Sequence, residues 1–183
     1  VGVPMWLKAF LRINGVELNV VGQENLWKQR PAVFIFNHRN GYDPWMAAAM
    51  LERDFSVVAK KDIESNWLMG PIGKLANVAF IDRDNPRAAL EALKPMEDML
   101  RQGISALIAP EGTRYDTQQV GPFKKGPFRM AMSAQVPVVP IVFRNAEMVA
   151  ARDAATLCPG TVDVAVLPPI DVGNWQPHEL KDR

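Results

Sequence analysis

Short runs rich in β-branched and aromatic residues recur along the chain with helix signals between several of them, and this alternation narrows the fold more than any other feature. Residues 16–20 alternate as a half-buried strand does, and 32–36, 56–60, 78–82, 104–109, 138–143 and 161–167 read as further strands. Asp43-Pro44 has the form of an N-cap followed by a first-turn proline, which predicts a helix through 45–51. Asn85-Pro86 repeats that signal and opens a helix over 87–102, ended by Gly103 and kinked at Pro95, and a further helix is expected over 124–134. Residues 4–13 set Trp6, Phe10 and Ile13 on one helical face and Lys8 and Arg12 on another, the pattern of an interfacial amphipathic helix. Strands alternating with helices specify an α/β fold: one domain, with helices flanking a mixed β-sheet because several connections are short enough for antiparallel pairing.

At 183 residues the chain has the length of one domain, and 48% hydrophobic against 22% charged content is globular. No internal repeat, low-complexity tract or second domain interrupts it. The 21 basic residues are balanced by 20 acidic ones, so the net charge of +1 gives no basis for nucleic-acid binding. A single cysteine excludes an internal disulfide. Two histidines without C-x-x-C or H-x-x-x-H spacing make no zinc site, so chemistry without metal or cofactor is expected. No apolar run reaches the roughly 18 residues needed to span a bilayer, and membrane contact is expected to be peripheral. Val1 opens the chain without a signal-like leader, and 175–183 reads as the opening turns of a helix; both suggest a domain of a longer protein.

The chemistry concentrates where the strand over 32–36 meets the following helix. His38 leaves the strand and Asp43 stands five positions later, in the turn Asn37-His38-Arg39-Asn40-Gly41-Tyr42-Asp43. An imidazole accepts a proton near neutral pH, and a carboxylate on its other ring nitrogen fixes the tautomer and supports the imidazolium. No G-x-S-x-G elbow supplies a nucleophile, and Cys158 lies in Leu157-Cys158-Pro159-Gly160 with no nearby histidine, so the attacking hydroxyl belongs to a substrate. Asp43 has a second job open to it, capping the helix with one oxygen while the other orients His38.

His38 to Asp43 resembles the H-x4-D motif of the glycerolipid acyltransferases, the lysophosphatidic acid acyltransferase family. Phe80-Ile81-Asp82-Arg83 is similar to that family's second block, Pro110-Glu111-Gly112-Thr113-Arg114 to its E-G-T-R block, and Val136-Pro137-Val138-Val139-Pro140-Ile141 to its V-P-V-x-P block. Ala59-Lys60-Lys61 and Phe123-Lys124-Lys125-Gly126 fall between them in the fitting order, so the resemblance spans residues 30 to 145 or so. Asn40 stands where Ser or Thr is common, Ala109 where an aromatic is common, and Asp82 where a basic residue is common; these departures bear on acceptor choice.

The resemblance implies a glycerolipid acyltransferase fold and transfer of a fatty acyl group from an acyl thioester, acyl-CoA or acyl-carrier protein, to lysophosphatidic acid at the cytoplasmic face of a membrane. His38 would be the general base and Asp43 its orienting partner. Arg114 would grip the acceptor phosphate with Gly112 and Thr113 shaping the loop, while Glu111 in the same block holds Arg114 or the loop itself. Arg83 would add a second cation, or else belong to a solvated Asp82-Arg83-Asp84 cluster. Lys60 or Lys61 would meet the oxyanion or the phosphate, and Lys124 and Lys125 an anionic headgroup. Pro137 and Pro140 are expected to shape an edge or bulged strand, residues 67–71 to pack in the core, and His178 and Cys158 to play no part. The motifs specify chemistry better than acceptor. Glycerol 3-phosphate or another polyol headgroup, a thioesterase using water, and a noncatalytic lipid-binding domain therefore remain open readings.

Overall fold

A computed structural model describes residues 2–65, 78–81, 86–115, 119–178 and 180. Its strands are β1 (Val16–Val21), β2 (Val33–Phe36), β3 (Phe55–Lys60), β4 (Ala79–Ile81), β5 (Ser105–Ile108), β6 (Val138–Arg144) and β7 (Gly160–Val166). Its helices are α1 (Gly2–Ile13), α2 (Asn25–Lys28), α3 (Asp43–Leu51), α4 (Pro86–Arg101), α5 (Gly126–Ala134) and α6 (Ala146–Val149), with a 3-10 turn at Lys61–Ile63. The strands form one sheet in the order β1-β7-β6-β2-β5-β3-β4. Among the described strands only β6 and β7 pair antiparallel; the other neighbours are parallel. The expected mixed sheet flanked by helices is thus the fold.

The central strands β2 and β5 read Val-Phe-Ile-Phe and Ser-Ala-Leu-Ile and are buried along their whole length, as parallel strands covered on both faces are. On one face Phe34, Phe36 and Leu107 pack with Met46 and Leu51 of α3 and Leu7 and Leu11 of α1. On the other Val33, Ile35 and Ile108 pack with Met96 and Leu100 of α4 and Met130 of α5. The result is a three-layer α/β/α sandwich. Arg30 fastens the underside: its guanidinium donates to the carbonyls of Leu26, Leu51 and Arg53 and lies 4.2 Å over the Trp27 ring. The Leu26 and Leu51 carbonyls are ones that the ends of α2 and α3 leave without an intrahelical partner. Burial pushes the Arg30 pKa down.

Several expectations are corrected. Asp43 is the first helical residue rather than the N-cap: the amides of Trp45 and Met46 both reach the Tyr42 carbonyl, and Tyr42 caps without a side-chain bond. α1 buries Leu7 and Leu11, while Trp6 and Ile13, of the face expected to be interfacial, are 55% and 84% exposed. α4 runs from Pro86 to Arg101 with Pro95 inside it. α5 begins at Gly126 because Pro127 takes its first turn, leaving Lys124 and Lys125 in the approach. Residues 175–178 carry turns and no helix.

Of the edge or bulge expected at the V-P-V-x-P block, the edge is excluded, since β6 lies inside the sheet, between β7 and β2. Three steps from Val138 to Ile141 face four from Val166 to Ile170, so the extra residue sits on the segment leaving β7. Pro140 stands at that slip. Its carbonyl accepts from Leu167, and the N–H it lacks falls where the ladder is already broken. Residues 67–71, Asp82, Arg83 and the Asn85 cap lie outside the described residues.

Candidate active site

Because β6, β2, β5 and β3 run parallel, their carboxyl ends lie side by side at one edge of the sheet, where open α/β sheets bind ligands. His38 leaves β2, Glu111 follows β5, Lys60 ends β3, and Phe143 closes the same edge on β6. Asn37 joins two of these ends as a peptide group would: its amide donates to the Phe143 carbonyl at 2.9 Å and its oxygen accepts from the Phe143 N–H at 2.7 Å.

His38 Nδ1 stands 3.1 Å from Asp43 Oδ2, with the imidazole 14% exposed and the carboxylate fully buried. The same oxygen accepts from the amides of Arg39 and Asn40, at 2.5 and 2.8 Å. Three donors converging on one oxygen fold the loop around the carboxylate and fix the ring, and an Nδ1–H held there leaves the lone pair on Nε2. Both expected roles of Asp43 were to be divided between its oxygens; instead Oδ2 takes the ring and the turn amides together, and Oδ1 is buried with no partner among the described residues. The Phe36 ring meets the imidazole edge-on at 5.7 Å, an apolar wall on one side of the base.

Glu111 is buried, and its carboxylate faces neither Arg114 nor solvent. Oε1 accepts from the His38 N–H and Oε2 from the Gly121 N–H, each at 2.7 Å. It therefore joins the base to the loop before α5: of the two tasks expected of it, holding Arg114 or holding the loop, its contacts are those of the second. Gly112 takes φ of +71°, a left-handed turn that a side chain resists, and the Lys124 stem lies over it. Thr113 is exposed next to it.

Arg114 comes to the His38–Asp43 loop: its Nη1 lies 3.7 Å from where a Cβ on Gly41 would stand. That nitrogen donates to the Arg152 carbonyl at 2.5 Å, and Nη2 pairs with Asp153 Oδ1 at 3.0 Å. Lys60 pairs with Asp62, and Lys61 lines an open depression with Asp62, Glu64 and Ser65. Lys124 is exposed, with its amide bound to the Pro110 carbonyl, and Lys125 precedes α5. The structure thus gathers His38, Asp43, Glu111, Gly112 and Arg114, and sets Lys60 and Lys61 farther along the edge. Among the described residues no group of three or more His, Cys, Asp or Glu side chains converges as metal ligands do.

Two features escaped sequence reasoning. Asn40, fully buried, donates to the carbonyls of Ala146 and Ala150 at 2.8 and 3.2 Å, bracketing α6, while its oxygen takes the Tyr42 N–H. Tyr42 Oη donates to the Ala155 carbonyl at 2.6 Å. These ties reach more than 100 residues along the chain, where local pattern carries no signal.

The sequence model of the Acyltransferase family matches residues 17–144, which includes every segment just described up to β6. A 1-acyl-sn-glycerol-3-phosphate acyltransferase of Cocos nucifera is 30% identical over 92% of this chain and 54% of its own length. The human 1-acyl-sn-glycerol-3-phosphate acyltransferase beta is 31% identical over 90% of this chain and 60% of its own. The crystal structure of the 1-acyl-sn-glycerophosphate (LPA) acyltransferase PlsC from Thermotoga maritima, 24% identical, superposes with a TM-score of 0.82 over 98% of this chain and 72% of that one. The chain thus spans little more than half the length of the curated relatives, and the PlsC likeness is one of fold. With the family match covering most of its length, this chain belongs to the acyltransferase family.

Proposed function

We propose that the protein transfers a fatty acyl group from an acyl thioester to the hydroxyl of lysophosphatidic acid, forming phosphatidic acid. The observation that carries the reading is the 3.1 Å contact of His38 Nδ1 with a fully buried Asp43, in a loop that Glu111 also holds and Arg114 borders. Nε2 takes the hydroxyl proton as the acceptor oxygen attacks the thioester carbonyl, a role worth on the order of 10²–10⁴ in rate. A new C–O bond forms, the tetrahedral adduct collapses, and the C–S bond breaks. A thiol titrates near about 8.5, so thiolate departs without a second acid, and the imidazolium returns its proton to solvent or to the thiolate. No covalent enzyme intermediate is required. Arg114 holds the phosphate and so places the hydroxyl beside the ring. Two relatives' names, both 1-acyl-sn-glycerol-3-phosphate acyltransferases, support this acceptor over glycerol 3-phosphate.

The donor is read as acyl-CoA or acyl-carrier protein, and contact with the bilayer as peripheral. α1 supports the latter: Met5, Trp6 and Ile13 are exposed, and Trp6 and Phe10 stack on each other and meet Trp45 of α3 at a tilt, a short distance from the His38–Asp43 loop. No described helix is long and apolar enough to cross a membrane. The test is product analysis by mass spectrometry with one acyl-CoA and both regioisomers of lysophosphatidic acid. Phosphatidic acid from one or both is expected. Free fatty acid alone would mean a thioesterase, and no turnover with retained vesicle binding would mean a lipid-binding domain.

A further inference from the structure

The segment after α6 lies across the mouth of the site and occupies the cation that the acceptor would use. Asn40 holds the two ends of α6, Tyr42 Oη holds the Ala155 carbonyl, and between these anchors Arg152 and Asp153 engage both terminal nitrogens of Arg114. Every tie runs from the His38–Asp43 loop or from Arg114 itself, so the segment is built onto the catalytic loop. From this geometry we infer that Asp153 is an internal stand-in for the acceptor phosphate, and that acceptor binding exchanges one anion for another on Arg114. The inference rests on reading Arg114 as the phosphate site.

The two ions differ in a way that favours the exchange. Asp153 is a monoanion, 74% exposed, making one contact at 3.0 Å to an arginine that is one-third exposed. Such exposed pairs are weak. A phosphate monoester carries more charge and presents several oxygens to the paired guanidinium donors, so it outbids a single carboxylate oxygen at the same nitrogens. An uncharged headgroup does not. Asp153 therefore adds selectivity: it keeps Arg114 neutralised when no phosphate is present and yields only to a ligand of greater charge.

The test is steady-state kinetics on the intact protein with Asp153→Asn, Arg114→Ala and the double variant, varying lysophosphatidic acid and acyl-CoA separately. Asp153→Asn is expected to lower the KM for lysophosphatidic acid by a factor of about two to five, with kcat and the acyl-CoA KM unchanged. The inhibition constant of inorganic phosphate should fall by a similar factor. Arg114→Ala is expected to raise the acceptor KM, and adding Asp153→Asn to it should bring no further change. If Arg114→Ala leaves the acceptor KM where it was, the phosphate reading itself fails. If Arg114→Ala raises it while Asp153→Asn leaves it unchanged or raises it, the stand-in is refuted and Asp153 serves to hold Arg114 in place. Asp153 is exposed, so the thermal midpoint of Asp153→Asn should match the parent.

Discussion

Two buried carboxylates define the site at the residue scale, and they divide its work. Asp43 gathers the ring and two turn amides on one oxygen, while Glu111 pins the backbone of the same histidine from the loop after β5. Glu111→Gln tests the second contact. The amide keeps one acceptor oxygen but sets an NH2 group against a backbone donor, so one buried N–H loses its partner at a cost of about 1–3 kcal/mol. Chemical denaturation should show that loss together with a fall in kcat; unchanged stability and rate would remove Glu111 from the site. The pairing of His38 with Asp43 was legible because five positions in a strand-to-helix turn keep the two close. For Glu111 the sequence left Arg114 and the loop as alternatives, because one of the two amides it accepts from lies 73 positions away.

For the elements, α1 divides its apolar residues between two faces. Leu7 and Leu11 face α3 and are nearly inaccessible, while Trp6, in contact with Phe10 and Trp45, and Ile13 are exposed. Lys8 ties the helix to Glu52 just past α3, and that bond holds the Glu52 carboxyl below its usual range. Leu11→Ala is expected to cost about 2–5 kcal/mol in denaturation, as deletion of a buried leucine does. Trp6→Ala should leave stability within about 1 kcal/mol yet weaken binding to anionic vesicles in a sedimentation assay. Equal effects of the two variants on stability would contradict the division of faces. The strands were legible from their β-branched runs to within a residue or two. α2 and α6 were not, since a four-residue helix is too short to display a period.

Across the whole molecule, parallel pairing of β6, β2, β5 and β3 turns separate sequence blocks into one edge. β2 delivers the base, β5 the loop with Glu111 and Arg114, and β6 the Phe143 backbone that Asn37 grips. Alternating strands and helices made the α/β class and the mixed sheet readable. Strand order was not, because a crossover connection records only that a helix intervenes and not which neighbour the next strand selects. Pro140 marks that limit: the prolines suggested an edge or a bulge, and a slip on the segment leaving β7 lets Pro140 sit inside the sheet. The measurement that bears most directly on the chemistry is single-turnover acyl transfer from radiolabelled acyl-CoA to lysophosphatidic acid, comparing the parent with His38→Ala and Asp43→Asn. Both variants should bind acceptor yet form phosphatidic acid slower by about 10²–10⁴-fold. Transfer at the parental rate by folded His38→Ala protein would show that the proton leaves by another route.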